Sequence, residues 1–254
     1  MSNRWSEGTF TELFESLWQE WNELSSVAFS SWAGAAMACL DYIDVRGKVV
    51  LCPSNTFMAT PLSVIKAGGQ VQFVDCNRHD LCMSYDDFVA KAEKWRPAAV
   101  WLVHIGGHIA FDVEKIAAYC RKHHIWLLED CAHAHGAHWH GKKPGAWGDA
   151  GVYSFYATKT ISTGEGGMLV TRHEDLAGQA LLGLALVETI GPKSAQSDLI
   201  RLCELTLTAS VLCSPVSQKG VVCLDGISHV IGPGQLSKTV FKFLILEKST
   251  NSSS

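Results

Sequence analysis

The chain has 254 residues, of which 47% are hydrophobic, and its formal net charge is -4. This apolar content is sufficient for a sizeable core, and the slight negative charge excludes the basic surface typical of nucleic-acid-binding domains. The most apolar stretch, around LAGQALLGLALV, is too short and too polar to cross a bilayer. Nine scattered cysteines and a start without signal-peptide features predict reduced thiols and a cytoplasmic location.

The elements predicted along the chain alternate between two types. TFTELFESLWQEWNEL has the apolar spacing of an amphipathic helix, with Thr9 as its expected N-cap. Strands are predicted at KVVLC, QVQFVD, AAVWLVH and IWLLED, and helices at TPLSVIKAG, YDDFVAKAEKW and DVEKIAAYCRKHH. This alternation predicts an α/β fold with a mostly parallel sheet and flanking helices.

Four histidines lie together in DCAHAHGAHWHG, which begins at Asp130 directly after a predicted strand. Imidazole and thiolate ligands suit zinc or copper, so a metal site remains a minor alternative. That site would use His133, His135, His138 and His140. The stretch contains no C-x-x-C pair and no helical H-x-x-x-H pair, and we therefore predict no metal. The simpler interpretation makes His135, His138 and His140 polar loop residues.

A second stretch, GDAGVYSFYATKTISTGEGGMLVT, places Lys159 between a short strand and a glycine-rich turn. Together with EDCAHAHGAHWHGKKPGAWGD just upstream, it resembles the sugar aminotransferases of the DegT/StrS type. These are pyridoxal-phosphate enzymes of the aspartate aminotransferase fold, fold type I. The resemblance runs from about Phe10 to Thr171 and implies the large domain of that fold, with pyridoxal 5'-phosphate as the cofactor.

The resemblance implies two catalytic residues. Asp130 matches the family's aspartate that faces the protonated pyridine nitrogen, and a turn or N-cap aspartate is the alternative. Lys159 matches the lysine that forms a Schiff base with the cofactor and then transfers a proton during catalysis. A solvated surface lysine is the alternative for Lys159. Desolvation and the nearby cationic ring are expected to lower the pKa of its amine.

Further cofactor contacts follow from the same resemblance. His133 stands where the family usually has glutamine and is expected to contact the cofactor's phenolic oxygen or ring. Ser154 matches the serine whose hydroxyl binds the phosphate. Phe57 falls where the family stacks an aromatic side chain on the pyridine face, with a buried core phenylalanine as the alternative.

The expected phosphate-binding turn, FSSWAGAAMACL, departs from the family pattern SGTAAL. Trp32 and Ala33 replace the glycine and threonine, so a hydroxyl contact is lost. The backbone amides of Ala33 and Gly34, at a helix N-terminus, remain as the expected phosphate ligands.

The expected organisation is a transferase large domain over residues 1–175, shortened at its N-terminus, and an atypical tail over 176–254. The tail is expected to be non-homologous or poorly ordered and to replace the family's small C-terminal lobe. The implied reaction moves an amino group from glutamate to a nucleotide-linked keto sugar, and the full-length form is expected to be a homodimer. The alternative is a catalytically inactive remnant that keeps the fold and the cofactor site.

Overall fold

The computed structural model describes residues 8–189, 220–224 and 227–231. The helices are α1 Thr9–Asn22, α2 Trp32–Ile43, α3 Ala59–Lys66, α4 Tyr85–Trp95, α5 Val113–His123 and α6 Glu174–Thr189. The strands are β1 Ser25–Phe29, β2 Val49–Pro53, β3 Gln70–Val74, β4 Ala99–Val103, β5 Trp126–Asp130, β6 Ala150–Ser154, β7 Gly167–Thr171, β8 Gly220–Leu224 and β9 Ile227–Ile231.

Seven of these strands form one sheet in the order β1-β7-β6-β5-β4-β2-β3. Strands β2 to β6 pair in parallel, whereas β7 runs antiparallel to both β1 and β6. The predicted mostly parallel α/β fold is therefore confirmed. The sequence does not distinguish β7 from the parallel strands because all five of its residues are buried, which produces the same continuous apolar run.

The helices cover both faces of the sheet, and successive side chains of each strand point to opposite faces. On one face, a core of aliphatic and aromatic side chains packs the strands against α4, α5 and α1. On the other face, Trp32 of α2 packs against Trp101 of β4, with ring centroids 5.3 Å apart. Because neighbouring residues of a strand point to opposite faces, Glu129 and Asp130 at the end of β5 face different surroundings.

Helix α1 has the predicted amphipathic character, but its N-cap differs from the prediction. Gly8 is the N-cap and Thr9 is already helical, so the assignment of Thr9 as the N-cap was wrong. The Gly8 carbonyl accepts hydrogen bonds from the amides of Thr11 and Glu12, and no side chain caps the helix. The helix buries Trp18 against Tyr153, with ring centroids 5.1 Å apart.

The chain divides into two compact units, residues 1–177 and 178–254. Within the second unit, β8 and β9 pair as an antiparallel hairpin. The predicted domain boundary between residues 175 and 176 stays a prediction, and most of the predicted tail lies outside the described residues. Among the described helices, none combines the length and the apolar character needed to cross a membrane.

Six cysteines in the described part of the chain are free thiols: Cys39, Cys52, Cys76, Cys82, Cys120 and Cys131. Burial raises the pKa of the Cys39 and Cys52 thiols to about 12. These two side chains are therefore protonated at neutral pH and act as small apolar core residues.

Candidate active site

Asp130 is the last residue of β5 and is only 6% exposed. Its Oδ1 accepts a hydrogen bond from the Ala132 amide at 3.1 Å, and its Oδ2 accepts one from Thr60 Oγ1 at 2.9 Å. The first contact belongs to the turn that follows the strand, whereas the second comes from α3. Asp130 is thus a turn aspartate and also a buried carboxylate at the ligand-binding edge of a parallel sheet.

Lys159 lies in the loop between β6 and β7 and is brought close to Asp130. Its backbone amide bonds to the Tyr156 carbonyl at 2.9 Å. The Phe155 carbonyl accepts from Ser162 Oγ at 3.2 Å and from the Thr163 amide at 3.0 Å. These local bonds fold the loop back on the end of β6, beside β5, where the half-buried side chain of Lys159 interacts electrostatically with Asp130.

Burial shifts the pKa values of Asp130 and Lys159, and the charge of each group opposes the shift of the other. Burial raises the pKa of Asp130, while the Ala132 amide, the Thr60 hydroxyl and the charges of Lys159 and His133 oppose that rise. Desolvation lowers the pKa of Lys159, as expected, and Asp130 opposes this shift. Lys159 is therefore not a freely solvated surface lysine. Two groups shifted in opposite directions by burial are typical of sites that transfer protons.

The predicted phosphate ligands lie on adjoining elements. Ser154 ends β6 and pairs with Gly167 of β7. A Cβ on Gly167 would lie 2.3 Å from the Ser31 carbonyl, so the glycine permits β7 to touch the N-terminus of α2. Ser154 Oγ accepts from the Tyr156 amide at 3.4 Å, which does not use its hydroxyl hydrogen. Ser154 and the start of α2 are thereby brought to one region of the fold.

The two backbone amides predicted to bind phosphate, at the start of α2, differ in their availability. Ser31 is the N-cap of the helix, and its hydroxyl oxygen accepts from the Gly34 amide at 3.2 Å. A phosphate would compete with this cap for Gly34, whereas Ala33 lies exposed in the first turn. Trp32, which departs from the family pattern, is buried and packs into the core. Its bulk therefore does not fill the surface of the turn.

Phe57 lies in the segment between β2 and α3, three residues before Thr60. Its side chain is 73% exposed, so the alternative of a buried core phenylalanine was wrong. Because Thr60 contacts Asp130, the start of α3 lies beside that carboxylate. An exposed aromatic residue at this place is available to a ligand.

His133 and His135, two residues apart, have different surroundings. His133 is exposed, and partial desolvation together with the charge of Lys159 lowers its pKa while Asp130 opposes this shift. His135 packs among the rings of Trp18, Tyr153 and Phe155, and burial lowers its pKa to about 4. His135 lies in the loop after β5, as predicted, but this turn directs its ring against the aromatic core, which was not predicted.

The remaining histidines of the cluster point elsewhere. His138 is exposed, and His140 pairs with Glu114 of α5. In the described part of the chain, two groups of three side chains have ligand atoms close enough to share a metal ion: Asp80, Cys82 and His108, and His104, Glu129 and Cys131. Neither group contains any of the four clustered histidines, so the geometry does not support the metal alternative proposed for them.

Glu129, next to Asp130, holds the loop before β6 on the opposite face. Its Oε1 accepts from the amides of Trp147 and Gly148 at 2.8 and 2.6 Å. Its Oε2 accepts from the Gly145 amide and lies 2.8 Å from His104 Nε2. Glu129 and His104 are both fully buried.

Comparison with known proteins supports the same assignment of the fold. The model of the DegT/DnrJ/EryC1/StrS aminotransferase family matches residues 1–193. The chain belongs to this family. The resemblance recognised from the sequence is confirmed, although the match extends past Thr171 into the region of α6. The predicted end of the resemblance at Thr171 was too early, because the weak apolar periodicity of α6 gives no signal in the sequence.

Several relatives within the family have named activities. A GDP-perosamine synthase from Escherichia coli O157:H7 is 32% identical over 178 residues, which is 69% of this chain and 48% of the relative. An L-glutamine:2-deoxy-scyllo-inosose aminotransferase from Streptomyces lividus is 32% identical over 152 residues, which is 59% of this chain and 35% of the relative. The chain spans about half the length of the GDP-perosamine synthases it matches.

Solved structures give the same fold. An aminotransferase from Psychrobacter cryohalolentis superposes with a TM-score of 0.65 at 28% identity, covering 68% of this chain and 44% of the other. NtdA from Bacillus subtilis, solved with bound cofactor PMP, gives a TM-score of 0.63 at 25% identity and covers 68% of this chain and 39% of its own.

Two residues that the structure ties to the end of β5 were not predicted from the sequence. Thr60 contacts Asp130 from a different element, and only the spacing of the two threonines in TFMAT, at i and i+4, gave a signal for it. Glu129 was passed over because an acid inside a strand carries no motif of its own. The sequence signal for Glu129 was a second acidic residue next to Asp130 at the end of an apolar strand.

Proposed function

We propose that this chain is a pyridoxal-phosphate-dependent aminotransferase that acts on a sugar substrate. The observation that carries the proposal is that half-buried Lys159 lies within electrostatic reach of buried Asp130 at the carboxyl edge of the sheet. A carboxylate for the ring nitrogen and an amine with a lowered pKa are the two groups that transamination through this cofactor requires.

The donor set fits the cofactor. Asp130 would hold the protonated ring nitrogen, Lys159 would hold the cofactor covalently, and exposed Phe57 would cover the ring. The phosphate would lie at Ser154 and the Ala33 amide, and His133 would meet the phenolic oxygen. When bound, pyridoxal phosphate supplies a cationic ring that accepts the electron pair released at the α-carbon of the amino donor.

In this proposal, Lys159 is the group that carries the proton. Desolvation lowers the pKa of its amine, so a larger neutral fraction is present near pH 7 than for a lysine in water. With the cofactor bound, the neutral Nζ would be the base that accepts the proton from the α-carbon of the amino donor and would return it during transfer of the amino group. The negative charge of Asp130 opposes the lowering of the pKa, so the balance between burial and this carboxylate sets the neutral fraction.

The proposed substrates are glutamate as the amino donor and a nucleotide-linked keto sugar as the acceptor. The family resemblance supports glutamate, whereas the name of the Streptomyces relative specifies glutamine. The GDP-perosamine synthases among the relatives support a nucleotide-linked sugar. Both amino donors therefore belong in the first assay.

A homodimer is proposed as the assembly. Leu62 and Ile65 of α3 and its N-cap residue Met58 are exposed, and Phe73 of the edge strand β3 is also exposed. A neighbouring group of large apolar side chains is typical of a protein interface. Light scattering during gel filtration measures the mass of the assembly directly.

The test follows the half-reaction with the amino donor alone. The full chain is incubated with pyridoxal phosphate, excess cofactor is removed, and glutamate or glutamine is added in a stopped-flow absorbance experiment. Conversion of the bound cofactor to its pyridoxamine form, with release of the matching keto acid, supports the proposal. Tight cofactor binding without conversion by either donor would instead support the inactive remnant.

A further inference from the structure

The Asp130 carboxylate takes hydrogen bonds from two directions. The Ala132 amide reaches Oδ1, and Thr60 Oγ1 reaches Oδ2. The Ala132 contact comes with the local turn, but the Thr60 contact crosses from α3 over 70 positions of sequence. A carboxylate has about four acceptor sites, so these bonds fix the plane of the group and leave an acceptor direction on each oxygen.

A second threonine, Thr56, contacts Thr60. Thr56 Oγ1 lies 2.9 Å from Thr60 Oγ1. Since the single hydroxyl hydrogen of Thr60 is donated to Asp130, the Thr56 hydroxyl is the donor within the threonine pair. Its contact with the Phe57 carbonyl is longer, at 3.3 Å. The donors are therefore arranged in one direction, from Thr56 to Thr60 to Asp130.

This arrangement opposes the effect of burial. Thr60 is fully buried, and its hydroxyl bond favours the charged form of a carboxylate that has lost most of its contact with water. The segment that leads into α3 carries exposed Phe57. One short segment thus contacts Asp130 through Thr60 and carries an exposed aromatic side chain three residues earlier.

We infer that Thr60, supported by Thr56, is a positioning residue that keeps Asp130 ionised and directs its open oxygen positions toward the cofactor ring. The inference rests on the proposed function for its link to the cofactor, but the state of Asp130 is measurable without any cofactor. Thr60→Val removes the hydroxyl and keeps the side-chain shape. Thr60→Ser keeps the hydroxyl and controls for the loss of the methyl group.

The first measurement uses the cofactor-free full chain labelled with ¹³C at aspartate carboxyls. The Asp130 signal is assigned as the one absent from Asp130→Asn, and its pH titration is followed by NMR. We expect Thr60→Val to move this titration to higher pH, Thr60→Ser to restore it, and Thr56→Val to give a smaller move in the same direction. An unchanged titration in a folded Thr60→Val chain would overturn the inference.

The second measurement uses the same chains loaded with pyridoxal phosphate that carries ¹⁵N in its ring. At a fixed pH near 7, we expect the ¹⁵N shift in Thr60→Val to move toward that of an unprotonated pyridine, and the half-reaction rate to fall about tenfold. A ring signal identical to that of the parent chain would overturn the link to the cofactor. A parent chain that binds no pyridoxal phosphate would overturn the proposed function, while the carboxyl titration would still decide the role of Thr60.

Discussion

The two acids at the end of β5 are neighbours in sequence with opposite environments. Glu129 faces a loop that surrounds it with three backbone amides and the ring of His104. The Ala110 amide donates to His104 Nδ1, so the hydrogen of the neutral ring lies on Nε2 and points at Glu129. Asp130 faces α3, takes two hydrogen bonds, and has Lys159 nearby.

This difference separates an acid whose acceptor sites are all used by the protein from an acid that keeps open sites. Every direction around Glu129 is taken by a protein donor, so its carboxylate fixes the loop before β6 and has no position for a ligand. Asp130 has fewer donors and a burial cost that its protein partners only partly offset. A buried carboxylate that keeps open acceptor positions beside a lysine suits the binding of a cationic ligand group.

The largest effect is expected at Lys159, the proposed catalytic lysine on the Asp130 side of the sheet. Lys159→Ala should lower the half-reaction rate by at least about a thousandfold, because the covalent link and the proton carrier are lost together. Borohydride reduction of the loaded parent chain should fix the cofactor on the peptide that contains Lys159. Lys122→Ala, on the surface of α5, is the control and should react normally. Label on other lysines, with Lys159 unlabelled, would contradict the site.

The next effect is expected for Asp130→Asn, which should lower the half-reaction rate by about a hundredfold or more because a neutral amide does not hold a protonated ring nitrogen. Stability should respond differently. Burial raises the pKa of Asp130 in the folded chain above its value in the unfolded chain. The free energy of unfolding therefore falls as the pH rises and the buried carboxyl must ionise.

The cofactor-free Asp130→Asn chain should therefore resist urea at pH 7 as well as the parent chain or better. This relative advantage should disappear as the pH falls toward about 3.9, the ordinary pKa of aspartate. Urea unfolding at several pH values measures it. A large loss of stability at pH 7 would show that Asp130, like Glu129, is mainly structural.

The matching change on the other face, Glu129→Gln, should lower stability and leave the half-reaction rate unchanged. One carboxylate oxygen becomes an NH₂ group that faces existing N–H donors, so buried donors lose their acceptor. We expect the free energy of unfolding to fall by about 3 kcal/mol, measured by urea unfolding. Cofactor bound by the folded fraction should keep a normal half-reaction rate. Full stability in this variant would remove the distinction between the two acids.

The smallest effect is expected at Phe57, which lies on the Asp130 side of the sheet. Phe57→Leu should weaken pyridoxal phosphate binding by about tenfold, because one aromatic stacking contact is worth about 1 kcal/mol. The exposed side chain supports little of the core, so the urea midpoint should stay unchanged. Phe111→Leu, at another exposed aromatic position, is the control. Equal affinity in both variants would place Phe57 outside the cofactor site.

Local sequence patterns were sufficient for the main elements, and they also named Asp130 and Lys159 as the two central candidates. The apolar runs of β2 to β5 and the helical spacing of α4 and α5 are local features, and the structure contains all of them. Asp130 and Lys159 were identified through motifs that lie within short stretches. The location of His135 was not predictable in this way, because its burial depends on Trp18, which is distant in the sequence.

The sequence by itself determined the α/β class, the strand ending at Asp130 and the lysine-bearing loop after β6, because these follow from periodicity and from contiguous motifs. Only the tertiary structure decided which acid of the Glu129 and Asp130 pair is structural. A strand sends adjacent side chains to opposite faces, and their partners come from α3 on one face and from the loop before β6 on the other. Those contacts join positions far apart in the chain, so no local pattern encodes them.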